Sequence, residues 1–138
     1  MQNGGQKNDL PLTAGTRNKI VPTIVFHGDL DKTVHPCNGE LVLTQWATSE
    51  ARGKSSSVAG KNLRVSKTKQ EIPNGHSYTR SIYHDASNRA VMEQWLVHGA
   101  GHAWSGGSPN GSYTDPKGPD ASQEMVRFFY EHPLIAVE

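Results

Sequence analysis

The run Val21-Pro22-Thr23-Ile24-Val25-Phe26 constrains the fold of this chain more than any other stretch. It is apolar and rich in β-branched residues, without the alternation of a strand that faces water on one side. Such a segment is a strand covered on both faces, the situation of a sheet flanked by helices. Pro22 lies near its start, where a missing N–H donor is tolerated. The rest of the chain supplies the partners such a strand needs. Residues 36–49 are expected to be a helix, with Pro36 at its N-terminal boundary and Leu41, Val42 and Trp46 forming its apolar stripe. Ser77 to Asp85 and Ala90 to His98 read as two strands joined by the turn Ala86-Ser87-Asn88-Arg89, a hairpin. In the second of these, Val91, Trp95 and Val97 point one way and Met92 and Leu96 the other, so both faces are at least partly covered. Residues 118–132 are expected to be the last helix. Asp120 and Gln123 have capping-box spacing there, and Ala121, Met125, Phe128, Phe129 and His132 share a face. The class is α/β, a mixed sheet with flanking helices.

Composition limits the size of the core. The chain has 138 residues, a length that suits one domain, with 34% hydrophobic residues and a mean hydropathy of −0.64. The polar excess concentrates in 1–18 and 49–69, two stretches without periodicity that are expected to be loop or disorder. Residues 1–19 are therefore set apart as a loop or disordered segment, and 20–138 as the domain.

The formal net charge is +1. The basic residues between Arg52 and Lys69 are interrupted by Ser, Val and Leu and lack aromatic interleaving, which argues against nucleic acid as a partner. Cys37 is the single cysteine, so neither an internal disulfide nor a cysteine metal cluster is available. Its place after Pro36 suggests a buried, half-polar residue rather than a reactive thiol. No apolar run approaches the roughly 20 residues of a membrane span. The first residues show no secretory pattern either, so the sequence leaves the compartment open.

The chemistry gathers in two stretches that each follow a strand. His27-Gly28-Asp29-Leu30-Asp31 delivers carboxylates, and Gly99-Ala100-Gly101-His102-Ala103-Trp104-Ser105-Gly106-Gly107 delivers an imidazole. An acid followed roughly seventy residues later by a histidine is the back half of the Ser…Asp…His order. A histidine acting as general base needs a carboxylate on its far nitrogen, to fix the tautomer and stabilise the imidazolium. Asp31 is the better acid, being far enough past the strand to turn across the sheet edge. Asp29 is expected to accept N–H groups in the turn. If Asp31 and His102 are to meet, the two strands before them must run parallel, with the site off their carboxyl ends.

Competing readings are weaker. Asp29 and Asp31 could be ordinary turn residues, and His102 could merely line a loop; the joint placement favours the pair. His27, Asp29, Asp31 and His35 suggest metal ligands by type, but no liganding helix with His at i, i+4 appears, and no metal is expected. Trp104 is either a substrate wall or packing beneath the loop. Ser105 lacks the strained strand-to-helix elbow of a nucleophile, and no Gly-x-Ser-x-Gly element occurs in the sequence. His76, His84, His98 and His132 are expected to be structural.

At these residues the chain resembles the carboxy-terminal part of the poly(3-hydroxybutyrate) depolymerase family of α/β-hydrolase esterases, whose relatives include feruloyl and acetylxylan esterases. The resemblance rests on Val21-Pro22-Thr23-Ile24-Val25-Phe26-His27-Gly28 with Asp31 and Val34, then Pro36 and Asn38-Gly39. It continues at Glu93-Gln94-Trp95 and through Gly101-His102-Ala103-Trp104-Ser105-Gly106-Gly107-Ser108. Gly111-Ser112-Tyr113-Thr114-Asp115-Pro116, Gly118-Pro119-Asp120-Ala121-Ser122 and Phe128-Phe129 complete it. It implies Asp31 as the triad acid and His102 as the base. The implied substrates are esters: a polyhydroxyalkanoate or an acylated polysaccharide. No cofactor is implied, and the family tends to be secreted. The half of that family carrying the nucleophile and oxyanion-hole donors has no counterpart here. The expectation is an acid–base half, inactive alone, that takes the missing half or a second copy as its partner. The alternative is a non-catalytic polymer- or carbohydrate-binding remnant presenting Trp95, Trp104 and Tyr113.

Overall fold

The apolar run is a strand, β1 (Thr23–Gly28), and its hydrogen-bonded neighbour lies more than sixty residues away in sequence. The computed structural model describes residues 20–48 and 63–134. The loops expected over 1–18 and most of 49–69 therefore lie outside the described residues. After β1 come α1 (Cys37–Thr48), β2 (Arg64–Glu71), β3 (Ser77–His84) and β4 (Ala90–Val97). The short pair β5 (Trp104–Ser105) and β6 (Thr114–Asp115) follows, and then α2 (Ala121–Glu131). The sheet order is β1-β4-β3-β2, with β1 parallel to β4 and the other pairs antiparallel. Among the described residues this is a mixed sheet in an α/β arrangement with two helices.

Alternation along β1 and β4 gives each face its own helix. On one face, α1 approaches through Gly39, where an added Cβ would lie 3.2 Å from Val25 and 3.5 Å from His27. Leu43, one turn further on, is buried. This corrects the expected stripe: Leu41 and Val42 are exposed, because the face passing through Gly39 and Leu43 turns position 41 outward. Cys37 is also exposed rather than buried, since it opens the helix ahead of that face.

The other face holds most of the apolar core. Trp95 stacks between Phe26 and Tyr78, with ring centroids 5.4 and 5.1 Å away, and Val97 and Ala100 complete the cluster. The Arg80 guanidinium lies 5.0 Å from the Trp95 ring centroid, and the indole N–H donates to Glu93. Glu93 is buried and also accepts from Arg80 and from Arg127 of α2, so its charge is compensated on every side. α2 starts with Asp120 accepting the Gln123 N–H and buries Ala121 and Phe128. Phe129, placed on the same face by the sequence pattern, is instead about half exposed.

One strand was illegible in the hydrophobic pattern. Arg64 to Lys69, expected to be loop, belongs to β2, whose eight residues are all exposed. A strand with neither face covered has no apolar period to betray it. What holds it is the ladder to β3, together with side-chain pairs such as Tyr78 O–H to Gln70. Between β3 and β4 the turn is closed by the Asp85 carboxylate, which accepts the Ser87 and Arg89 N–H groups.

Trp95 is therefore the keystone of the apolar face. Trp95→Ala is expected to lower the unfolding free energy by about 3–5 kcal/mol. Urea denaturation followed by circular dichroism measures this, and a loss below 1 kcal/mol would contradict the packing described here.

Candidate acid–base site

The site is built where β1 and β4 end together. Pairing extends past the strands: Asp29 N–H donates to Val97 O and Leu30 N–H to Ala100 O, each at 3.0 Å. This close approach requires Gly28, because a Cβ there would collide with the carbonyl groups of Ala100 and Gly101. The loops after β1 and β4 are thus in backbone contact before any side chain is placed.

Asp31 closes its own turn. Its Oδ1 accepts the N–H groups of Thr33 at 2.8 Å and Val34 at 2.9 Å, which fixes the plane of the carboxylate. Its Oδ2 lies 2.8 Å from Nδ1 of His102. An ionised carboxylate only accepts, so Nδ1 of His102 carries the proton. His27 Nε2 is 3.4 Å from the same Oδ2 and donates to the Val34 carbonyl at 2.8 Å, walling the acid on its strand side. The Asp31 side chain is 6% exposed and that of His102 is 55% exposed. Burial pushes the Asp31 carboxyl up, but the Val34 N–H, His102 and the Thr33 N–H together outweigh it, and the pKa falls to about 2. A carboxylate fixed by backbone donors thus holds a ring whose Nε2 has no hydrogen-bond partner among the described residues.

Beside this couple opens a groove of about 460 Å³ with Phe26, Val34, Val97, Trp104 and Tyr113 in its walls. Trp104 is about half exposed, and its indole N–H donates to Ser122 Oγ at 3.1 Å. It lines the groove, and the hydrogen bond to Ser122 holds its ring in place. The pairing of β5 with β6 anchors the loop beyond His102. Ser105 is buried, and its hydroxyl donates to the Pro119 carbonyl at 2.7 Å, so it is committed elsewhere.

Asp29 does accept a backbone N–H, but from the opposite loop: Gly99 N–H donates to its Oδ1 at 2.7 Å. Its Oδ2 lies 2.9 Å from Nδ1 of His98. The four residues considered as metal ligands do not converge. Asp29 faces His98, while the His35 ring accepts from the Cys37 N–H. The engagement of His98 and the pairing of His76 with Asp115 at 2.8 Å were not foreseen. The only signal available in sequence was a histidine at the end of a strand.

The depressed pKa of Asp31 has a definite pH signature. A carboxyl whose folded pKa lies below its unfolded value stabilises the fold fully above that unfolded value, 3.8. The contribution is lost as pH falls towards about 2, its folded value. Asp31→Asn removes that dependence. Wild type and variant are expected to differ most above pH ~4 and to converge as pH falls to about 2 in a series of urea unfolding curves. Parallel pH profiles would contradict the assignment. No family model matches the chain, and no curated protein does so either.

Proposed function

We propose that this chain supplies the acid–base pair of a serine-type carboxylic ester hydrolase with an α/β-hydrolase architecture, similar to the poly(3-hydroxybutyrate) depolymerases. The observation that carries the reading is the 2.8 Å contact of Asp31 with His102, both of which line the groove. In this mechanism a serine hydroxyl, absent from the described residues as a partner of His102, comes to Nε2 from another segment or another chain. His102 takes its proton as the oxygen attacks the ester carbonyl, and the adjacent carboxylate stabilises the imidazolium. The proton then passes to the leaving alkoxide, and water releases the acyl group by the same route. The apolar walls suit the acyl or alcohol portion of a polyester or acylated polysaccharide, with Trp104 as one wall. No cofactor takes part.

The outer edge of β1 supports a partner for the pair. Among the described residues β1 is hydrogen-bonded only to β4, and its apolar side chains are half-buried rather than buried. An edge strand leaves a row of backbone N–H and C=O groups unpaired, so a further strand fits this edge. That strand would belong to the nucleophile-bearing half; a second copy of this chain is the competing occupant.

The non-catalytic reading loses one of its supports. It requires Trp95 on an aromatic surface with Trp104 and Tyr113, whereas Trp95 is 3% exposed and at the centre of the core.

Co-expression with a nucleophile half carrying Gly-x-Ser-x-Gly tests the proposal, with p-nitrophenyl butyrate as substrate. The complex is expected to hydrolyse it, and Asp31→Asn is expected to lower kcat about 10⁴-fold, as loss of the tautomer-fixing acid does in serine hydrolases. Activity that survives His102→Ala unchanged would overturn the reading. So would labelling of a serine of the isolated chain by a fluorophosphonate, if His102→Ala abolishes it.

A further inference from the structure

A second imidazole is clamped at the same end of the sheet, and its carboxylate also holds the backbone of the His102 loop. Nδ1 of His98 lies 2.9 Å from Asp29 Oδ2, and its Nε2 lies 2.7 Å from the Thr79 hydroxyl. A carboxylate accepts, so Nδ1 of His98 carries the proton, and Nε2 is left to pair with the Thr79 hydroxyl. The network joins three strands: Asp29 follows β1, His98 follows β4, and Thr79 lies within β3. The free Asp29 oxygen takes the Gly99 N–H at 2.7 Å. Burial raises the Asp29 carboxyl, yet Gly99 and His98 outweigh it and leave its pKa below the ordinary value.

Gly99 is the pivot of the second loop. It has φ +82°, a conformation that side-chain-bearing residues rarely adopt. On its other side His76 stands close, with Nδ1 3.2 Å from where a Cβ would be, and His76 is itself held by Asp115. Only Gly99-Ala100-Gly101 separates His98 from His102, and two of those three residues are glycines with little stiffness of their own. The place of His102 is therefore inherited from the points where this short segment is pinned.

We propose that Asp29 is a positioning residue for His102. It acts through the Gly99 N–H and through His98, whose far nitrogen is held by the Thr79 hydroxyl. The proposal rests on reading Asp31 and His102 as the acid–base couple, and it assigns a role to the second carboxylate of the same turn.

Nitrogen-15 NMR of the histidine rings in the full chain at neutral pH tests it, because the ring shifts report which nitrogen holds the proton. Wild type is expected to show His102 almost wholly as the Nδ1–H tautomer. Asp29→Ala is expected to raise its Nε2–H to Nδ1–H ratio about tenfold, the effect of weakening one charge-assisted hydrogen bond, and to speed exchange of the Gly99 amide. Asp29→Asn keeps an acceptor for Gly99 and is expected to restore most of the wild-type ratio. Asp85→Asn, which loosens the remote β3–β4 turn, is expected to leave His102 unchanged. If Asp29→Ala does not fold, His98→Ala decides, with a smaller shift in the same direction expected.

A His102 ring that keeps its wild-type tautomer in the folded Asp29 or His98 variant overturns the positioning role alone. A wild-type His102 ring of mixed tautomer, insensitive to Asp31→Asn, overturns the acid–base couple itself.

Discussion

The parallel pairing of β1 with β4 is the constraint on which the rest depends. It sets Phe26 opposite Trp95 and Gly28 opposite Val97, so both chains leave the sheet at one edge and in step. The ladder then continues through Asp29 and Leu30, and the absence of a Cβ at Gly28 lets the two loops touch backbone to backbone. Side-chain chemistry follows from this contact. Asp31 is one tight turn beyond Gly28, and His102 is one short loop beyond Val97. The cost is a long loop closure, since nothing local brings these segments together; pairings of this separation form slowly in folding. The Trp95 stack with Phe26 and Tyr78 supplies stabilisation across that distance, each aromatic pair adding about 0.5–1.5 kcal/mol beyond area burial.

The electrostatics at this edge have a common design. Asp29 and Asp31 each use one oxygen for backbone N–H groups and present the other to an imidazole. Backbone donors fix a carboxylate at little entropic cost, because the turn has already ordered them. The histidine partners differ in exposure: the His98 side chain is 29% exposed and engaged at both nitrogens, whereas His102 is 55% exposed and engaged at one. That difference leaves one nitrogen of His102 accessible, while both nitrogens of His98 are engaged. A third pair, His76 with Asp115, braces Gly99 from the opposite side.

What could be read from the chain follows its periodicities. β1, the β3–β4 hairpin and α2 announce themselves through apolar runs, a turn and a cap, and the parallel relation of β1 to β4 follows from asking Asp31 to reach His102. Positions that depend on tertiary packing were not legible. Leu43 rather than Leu41 anchors α1, because the sheet is approached through Gly39, a residue with no hydrophobic signal. β2 is polar along its whole length and is held by backbone pairing, which no composition reveals. In the site, Asp31 and His102 could be singled out by chain order, but the partnership of Asp29 with His98 could not. Thr79, whose hydroxyl meets the His98 ring, is an unremarked residue in the middle of a strand.

The central claim is that the Nδ1–H of His102 donates to the Asp31 carboxylate within this chain. Low-field proton NMR of the imidazole N–H region addresses it directly. The account requires a downfield resonance that disappears in both Asp31→Asn and His102→Gln, while the corresponding signal from His98 persists. A spectrum in which Asp31→Asn leaves every downfield imidazole proton in place would contradict it.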